Sequence, residues 1–190
     1  MSAGAFHTVG LCSDGTVIAK GANNFGQRNV NFGQCNVDGW TDIVAVSAGG
    51  YYTVGLRSDG TVVATGQNGY GQCNVRSWTD IMAVSAGYSH TVGLRSDGTV
   101  VATGSNDNDQ CNVSGWVDIV EVSAGGNHTV GLRNDGTVMS TGMVFIITFP
   151  PCFFWRFFFS VFYRQRDTRP RHLHGAGCAE PRSVPSCEWF

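Results

Sequence analysis

The chain has 190 residues, 42% of them hydrophobic and 14% charged, with a formal net charge of −2 at pH 7, which is length enough to bury one ordinary core. These totals average two unlike segments: residues 1–142 hold 24 of the 26 glycines, none of the five prolines, and six basic against 11 acidic residues, while 143–190 hold all five prolines and six basic against three acidic residues. An acidic, glycine-rich segment argues against a nucleic-acid surface, which usually shows a basic patch.

The first residues, MSAGAFHTVGLCSDG, show no basic stretch followed by an apolar run. No secretory signal is expected there, and a cytoplasmic or nuclear location follows as the expectation. Those same residues open a phrase that recurs. SAGAFHTVGLCSDGTVIAKG at 2–21 returns as SAGGYYTVGLRSDGTVVATG at 47–66, SAGYSHTVGLRSDGTVVATG at 85–104 and SAGGNHTVGLRNDGTVMSTG at 123–142. The copies start 45, 38 and 38 residues apart, a period that marks a repeat architecture. The extra seven residues of the first spacing come from NFGQRNV at 24–30 followed directly by NFGQCNV at 31–37. Such a duplication lengthens a loop at little entropic cost.

Within a copy, DIVAVSAG at 42–49 reads as an apolar strand rich in β-branched residues, and YTVGLR at 52–57 alternates. SDG at 58–60 is a hairpin signal, and TVVAT at 61–65 returns as the partner strand. GQNGYGQCNV at 66–75 predicts a glycine-rich loop with one short outer strand. No helical period is long enough to bury a face. Sheets of this kind repeating every 38 residues predict an all-β propeller arc: about three and a half blades of four-stranded antiparallel sheets, open rather than closed. The repeats run 2–46, 47–84, 85–122 and an incomplete 123–142. The first hairpin has no WTDIVAV strand before it, so self-association through open blade edges is expected.

From Met143 the pattern stops. Residues 143–163 carry eight of the 12 phenylalanines and one charge, Arg156. The stretch could span a bilayer core of about 30 Å, although Pro150, Pro151 and Arg156 would sit inside it. Two readings stand: a membrane anchor, or a shifted reading frame or read-through past Gly142. The abrupt change of composition within an unfinished repeat favours the second.

The pattern W-T-D-I-V-A-V-S-A-G-x-x-H-T-V-G-L-R-S-D-G-T-V-V-A-T-G-x-N-x-x-G-Q-C resembles the regulator of chromosome condensation repeat, in its short and regular form. The resemblance covers residues 1–142. It implies a propeller that acts as an interaction platform, and it brings in the roles of members: nucleotide exchange on small GTPases, chromatin docking, and propeller modules within large ubiquitin ligases. Protein–protein scaffolding, as a fragment of a larger protein, is the expected function. Part of an exchange factor for a small GTPase and a membrane-anchored repeat protein are the alternatives.

The four copies can be compared with one another. His7, His90 and His128 share a position that is Tyr52 in the second copy. A catalytic histidine would not be supplied three times and then exchanged for tyrosine, so each is expected to be a buried ring hydrogen-bonded within its own blade. Asp14, Asp59, Asp97 and Asp135 precede turn glycines and read as turn formers. Trp40, Trp78 and Trp116 are expected to pack between blades. Cys35, Cys73 and Cys111 occupy one repeat position, too far apart from blade to blade to form disulfides. In SNDNDQ at 105–110, Asp107 and Asp109 replace Gly69 and Gly71, as the tolerance of aspartate for left-handed backbone allows. No catalytic residue, cofactor or metal site is expected, and the protein is read as a non-enzyme. Partner contacts are placed at the variable corner before each second strand, on Phe6, Tyr51, Tyr88 and Asn127. The repeated Arg57, Arg95 and Arg133 form a second candidate row.

Overall fold

The computed structural model describes residues 1–25 and 30–143, and every regular element among them is a β-strand. β1 (Ser2–Ala3), β2 (His7–Leu11) and β3 (Val17–Gly21) form the first sheet, followed by a small pair, β4 (Asn24–Phe25) and β5 (Val30–Asn31). Then come β6 (Ile43–Ala48), β7 (Tyr52–Arg57) and β8 (Val62–Gly66). The third sheet is β9 (Ile81–Ala86), β10 (His90–Arg95) and β11 (Val100–Gly104), and the fourth is β12 (Ile119–Ala124), β13 (His128–Arg133) and β14 (Val138–Gly142). Each is an antiparallel meander with the middle strand at its centre. The readings made for 143–190 concern residues that, apart from Met143, lie outside those described. Among the described residues no helix is long and apolar enough to cross a membrane.

The turn chemistry predicted for SDG is built four times. Asp59 Oδ1 accepts from the Thr61 amide at 2.9 Å and the Thr61 hydroxyl at 2.6 Å, while Gly60 takes φ 78°. Asp14–Thr16, Asp97–Thr99 and Asp135–Thr137 repeat the arrangement.

The open, partial arc of antiparallel sheets is as expected, with two differences of detail among the described residues. Four meander sheets are present where three and a half were expected, because Ser2 and Ala3 already pair with Val9 and Thr8 as a stub of the first strand. Each of the four has three strands where four were expected. The loop that was to supply an outer strand closes on itself instead: Asn68 accepts from the Cys73 amide at 2.8 Å and donates to Asn74 Oδ1 at 3.0 Å. Asparagine side chains that bond neighbouring backbone in this way compete with ladder formation. Asn106 does the same with Cys111 and Asn112. Asn23 does it with Cys35 and Asn36, across the seven-residue duplication. Residues 24–25 and 30–31 of the duplicated stretch pair as β4–β5, with Asn24 opposite Asn31 in register, and the Asn23 bonds to Cys35 and Asn36 are kept.

Stacking of the sheets decides which residues are buried. In β7 and β10 the first five residues are all buried, because a sheet lies on each side. In β2 His7 and Val9 are buried while Thr8 is exposed. In β13 the order inverts, with Thr129 and Gly131 buried and His128 and Val130 half-exposed. Residues 1–143 therefore form an arc whose first and last sheets each have one face uncovered by the described residues.

Three wedges fill the junctions. Val54, Leu56 and Val62 of one sheet pack on Val75, Trp78 and Ile81, which lead into the next; Val92, Leu94 and Val100 meet Val113, Trp116 and Ile119 in the same way. Each indole lies over the glycine of the following middle strand: a Cβ on Gly93 would come 2.8 Å from Trp78 Cζ3. A bulge after each wedge isoleucine turns Val44, Met82 and Val120 outward, 53%, 56% and 47% exposed, so the run IVAV does not bury all its side chains.

Gly104 has φ 120°, and a Cβ there would lie 2.5 Å from the Ser89 carbonyl oxygen. Gly104→Ala should therefore cost at least about 2 kcal/mol in urea unfolding. Gly69→Ala, where nothing lies within 4 Å, should stay within about 0.5 kcal/mol of the unsubstituted protein. Equal effects at both positions would refute the steric account.

Candidate functional site

The histidine position is a latch between repeats. His7 Nε2 lies 2.8 Å from Thr53 Oγ1, and Thr53 Oγ1 donates to the Gln34 carbonyl at 2.7 Å. His90 Nε2 lies 3.0 Å from Thr129 Oγ1, which donates to the Gln110 carbonyl at 2.7 Å. The threonine has one proton and spends it on the carbonyl, so its oxygen accepts from Nε2–H. That fixes the tautomer and leaves Nδ1 of both rings buried without a partner. The hydrogen bond expected within a blade runs instead to the next one, because the ring sits on the face that the following sheet covers. Burial lowers the pKa of His7 and takes that of His90 down to about 4; the charge of nearby His128 lowers it further, and a backbone bond at His128 offsets part of the shift. In the second repeat the Tyr52 hydroxyl donates to the His90 carbonyl and lies 3.2 Å from Thr91 Oγ1. The threonine half of the latch went unremarked in the sequence, although Thr8, Thr53, Thr91 and Thr129 are the same in every copy.

Two further bonds tie each repeat to the next. Ser2, Ser47 and Ser85 hydroxyls accept from the amides of Ala48, Ala86 and Ala124 at 2.9–3.0 Å. The amides of Ala5, Gly50 and Tyr88 donate to the carbonyls of Gly49, Gly87 and Gly125 at 3.2–3.3 Å. These small residues converge on a shallow depression of about 240 Å³, with Tyr88 on its rim.

On this frame the variable corner becomes a continuous aromatic surface. Phe6 stacks on Tyr51 with centroids 4.7 Å apart, and Tyr88 meets Tyr51 edge-on at 6.0 Å. Tyr51 is buried among them, while Phe6 and Tyr88 are each 49% exposed. Phe32 adds a tilted contact with Tyr51 at 5.7 Å. The Tyr88 ring fits where Gly50 has no side chain. Asn127 is exposed at the matching place in the fourth repeat and extends the row with an amide rather than a ring.

Arg57, Arg95 and Arg133 are half-buried at the ends of β7, β10 and β13. Hydrogen bonds from Thr61, and then the Arg57 charge, hold the Asp59 carboxyl below its usual range, and Asp97 and Asp135 repeat this beside Arg95 and Arg133. Trp40, Trp78 and Trp116 lie in the junctions. Cys35, Cys73 and Cys111 are free and half-buried; burial pushes the Cys73 thiol up to about 12 and Cys111 to about 11. Asp109 takes φ 63° where Gly71 takes 83°, and among the described residues no three metal-ligating side chains gather.

An open arc of interlocked three-stranded sheets with a variable corner is part of a β-propeller. The regulator of chromosome condensation (RCC1) repeat matches residues 1–27, 43–72, 82–110 and 119–143, and the chain belongs to that repeat family. Among solved structures it is similar to yeast RCC1 (Prp20) bound to Kap60, with TM-score 0.58 and 19% identity over 72% of this chain and 42% of that one. Prp20p of Saccharomyces cerevisiae, described with its binding to Gsp1p and histones, matches at 0.58 and 20% identity, over 72% of this chain and 43% of that one. The ectodomain of the Physcomitrella patens receptor kinase CR4 matches at 0.58 and 22% identity, over 76% of this chain and 40% of that one. At these identities the likeness is one of fold. The chain spans about two fifths of the length of each of these proteins. No curated protein matches it.

Proposed function

We propose that the repeats serve as a protein-docking scaffold, with the Phe6–Tyr51–Tyr88 corner as the contact surface. The observation that carries this reading is the contrast between positions. Residues that form the latch and wedge are the same or nearly so in every copy, whereas the corner varies and gathers three rings from three repeats onto the surface. Half-exposed aromatics held on a rigid frame are the usual anchors of protein interfaces.

The test is affinity capture from cell extract with the full chain and with a Phe6→Ala, Tyr88→Ala double variant. Both side chains are half-exposed, so the variant is expected to fold with a near-normal melting temperature. It should lose the proteins that the unsubstituted chain retains. Identical captured sets would refute the corner. A second reading, part of an exchange factor for a small GTPase, is supported by the likeness to Prp20p, a protein described with its binding to Gsp1p. Accelerated release of a fluorescent guanine nucleotide from a small GTPase on adding the chain would favour it.

A further inference from the structure

β8 pairs with β7 on one side only, so its outer edge is the vacant fourth-strand position of the second sheet. Among the described residues no strand pairs with that edge. Ala64, Thr65 and Gly66 line a groove of about 620 Å³, walled by the loop of the first repeat at Phe32 and Asn36 and by Asn74, Arg76 and Ser77 of the second. We propose that this groove receives an extended acidic segment of a partner protein, which adds to β8 as the missing strand.

Backbone supplies the affinity in such an addition, and side chains select the sequence. β8 has five residues, so at about 3.3 Å per residue it offers an edge of about 16 Å. The groove presents donors. Asn36 and Asn74 commit their carbonyl oxygens to Asn23 and Asn68, which leaves amide N–H groups to give. Arg76 is exposed, and among the described residues no carboxylate lines the groove. Elsewhere the repeats carry an acidic excess that repels an acidic peptide, so the charge of Arg76 decides where one binds. Asp38 and Ser114 stand at the matching position of the first and third loops, which makes the cation peculiar to this groove. At its far end Gly66 backs onto the Tyr51 carbonyl and Phe32 lies against Tyr51, so the groove continues into the aromatic corner.

The proposal rests on the docking reading and adds a strand-pairing surface to it. The probe is a fluorescein-labelled octapeptide, Thr-Glu-Val-Asp repeated twice, titrated with the full chain by anisotropy. Its controls are the Gln/Asn counterpart and a version with alternate backbone nitrogens methylated. Saturable binding is expected for the acidic peptide, at least about tenfold weaker binding for the neutral one, and none for the methylated one, since charge-assisted bonds and free N–H groups are both required. Arg76→Ser, which installs the side chain of the third repeat at an exposed site, should weaken the acidic peptide about tenfold and leave the neutral one unchanged. Equal binding of the charged and neutral peptides, of the methylated peptide, or of the Arg76→Ser variant would overturn the proposal, as would no saturable binding. Dimers of the chain with no peptide bound would assign the edge to a second copy instead. Capture that depends on Tyr88 and survives those failures would leave the docking reading intact.

Discussion

Replacing Trp78 with alanine is expected to cost about 3–5 kcal/mol and to uncouple the second repeat from the third. The indole is 7% exposed, packs on Val54 and Leu56 of one sheet, and lies flat over Gly93 of the next. Its removal opens a cavity between two sheets whose facing glycine has no side chain to move into it. In a stacked array each repeat depends on its neighbours, so the loss should spread along the arc. Urea unfolding should show a reduced midpoint, and hydrogen exchange should show β10 amides opening separately from those of β7. Trp40→Ala, at a half-buried indole, should cost less. A loss below about 1.5 kcal/mol at Trp78, or no difference between the two sites, would contradict the wedge.

Acidification should weaken the latch in a defined window. The native pKa of His90 is about 4, against an ordinary 6.5. The folded state therefore binds fewer protons than the unfolded state between these values. The contribution of His90 is fully present above about pH 6.5 and is lost as the pH falls toward 4. Converted at about 1.4 kcal/mol per pH unit, the loss is about 3 kcal/mol by pH 4. His7 shifts in the same direction and adds to it. The turn aspartates, held below their usual range by their threonines, add their share only at lower pH.

The variant that isolates the effect is His90→Tyr, which installs the ring used by the second repeat. Tyrosine does not titrate in this window, and burial moves Tyr52 further from it. Stability measured from pH 7.5 to 4.5 should fall less steeply in the variant, whatever its stability at pH 7.5. Parallel slopes would show that His90 does not carry the acid sensitivity. His90→Ala should lose about 1–3 kcal/mol at neutral pH through the broken buried bond alone.

The repeat was legible because its signals are local. The strand in HTVGLR, the Asp-Gly turn that Thr61 closes and the tandem duplication ahead of Phe32 each follow from neighbours in sequence, and the strands and turns form as expected. The candidate site was legible only in part. Comparison of the copies singled out Phe6, Tyr51 and Tyr88, but their separation in sequence gave no means of knowing that Tyr51 would lie buried between two exposed rings. Arg57, Arg95 and Arg133 recur at one strand position, and the sequence alone does not say that each stands half-buried, near enough to the aspartate two residues on for its charge to help hold that carboxyl down. Nothing in the sequence marks Arg76, since its loop gains meaning only beside the outer edge of β8.

By itself, then, the sequence determined the three main strands of each repeat and the tight turns between them, since backbone preference and turn chemistry act within a few residues. Tertiary structure alone decided three things. The loop closes on asparagine side chains rather than adding a fourth strand, because those bonds compete with a ladder partner that only the fold could supply. His7 and His90 bond to the next repeat, because the face they occupy is covered by a sheet 38 or more residues away in the chain. The middle strands β7 and β10 bury both faces, while β2 and β13 bury opposite ones, because burial depends on which side a neighbouring sheet lies, and stacking order is not written in any single repeat.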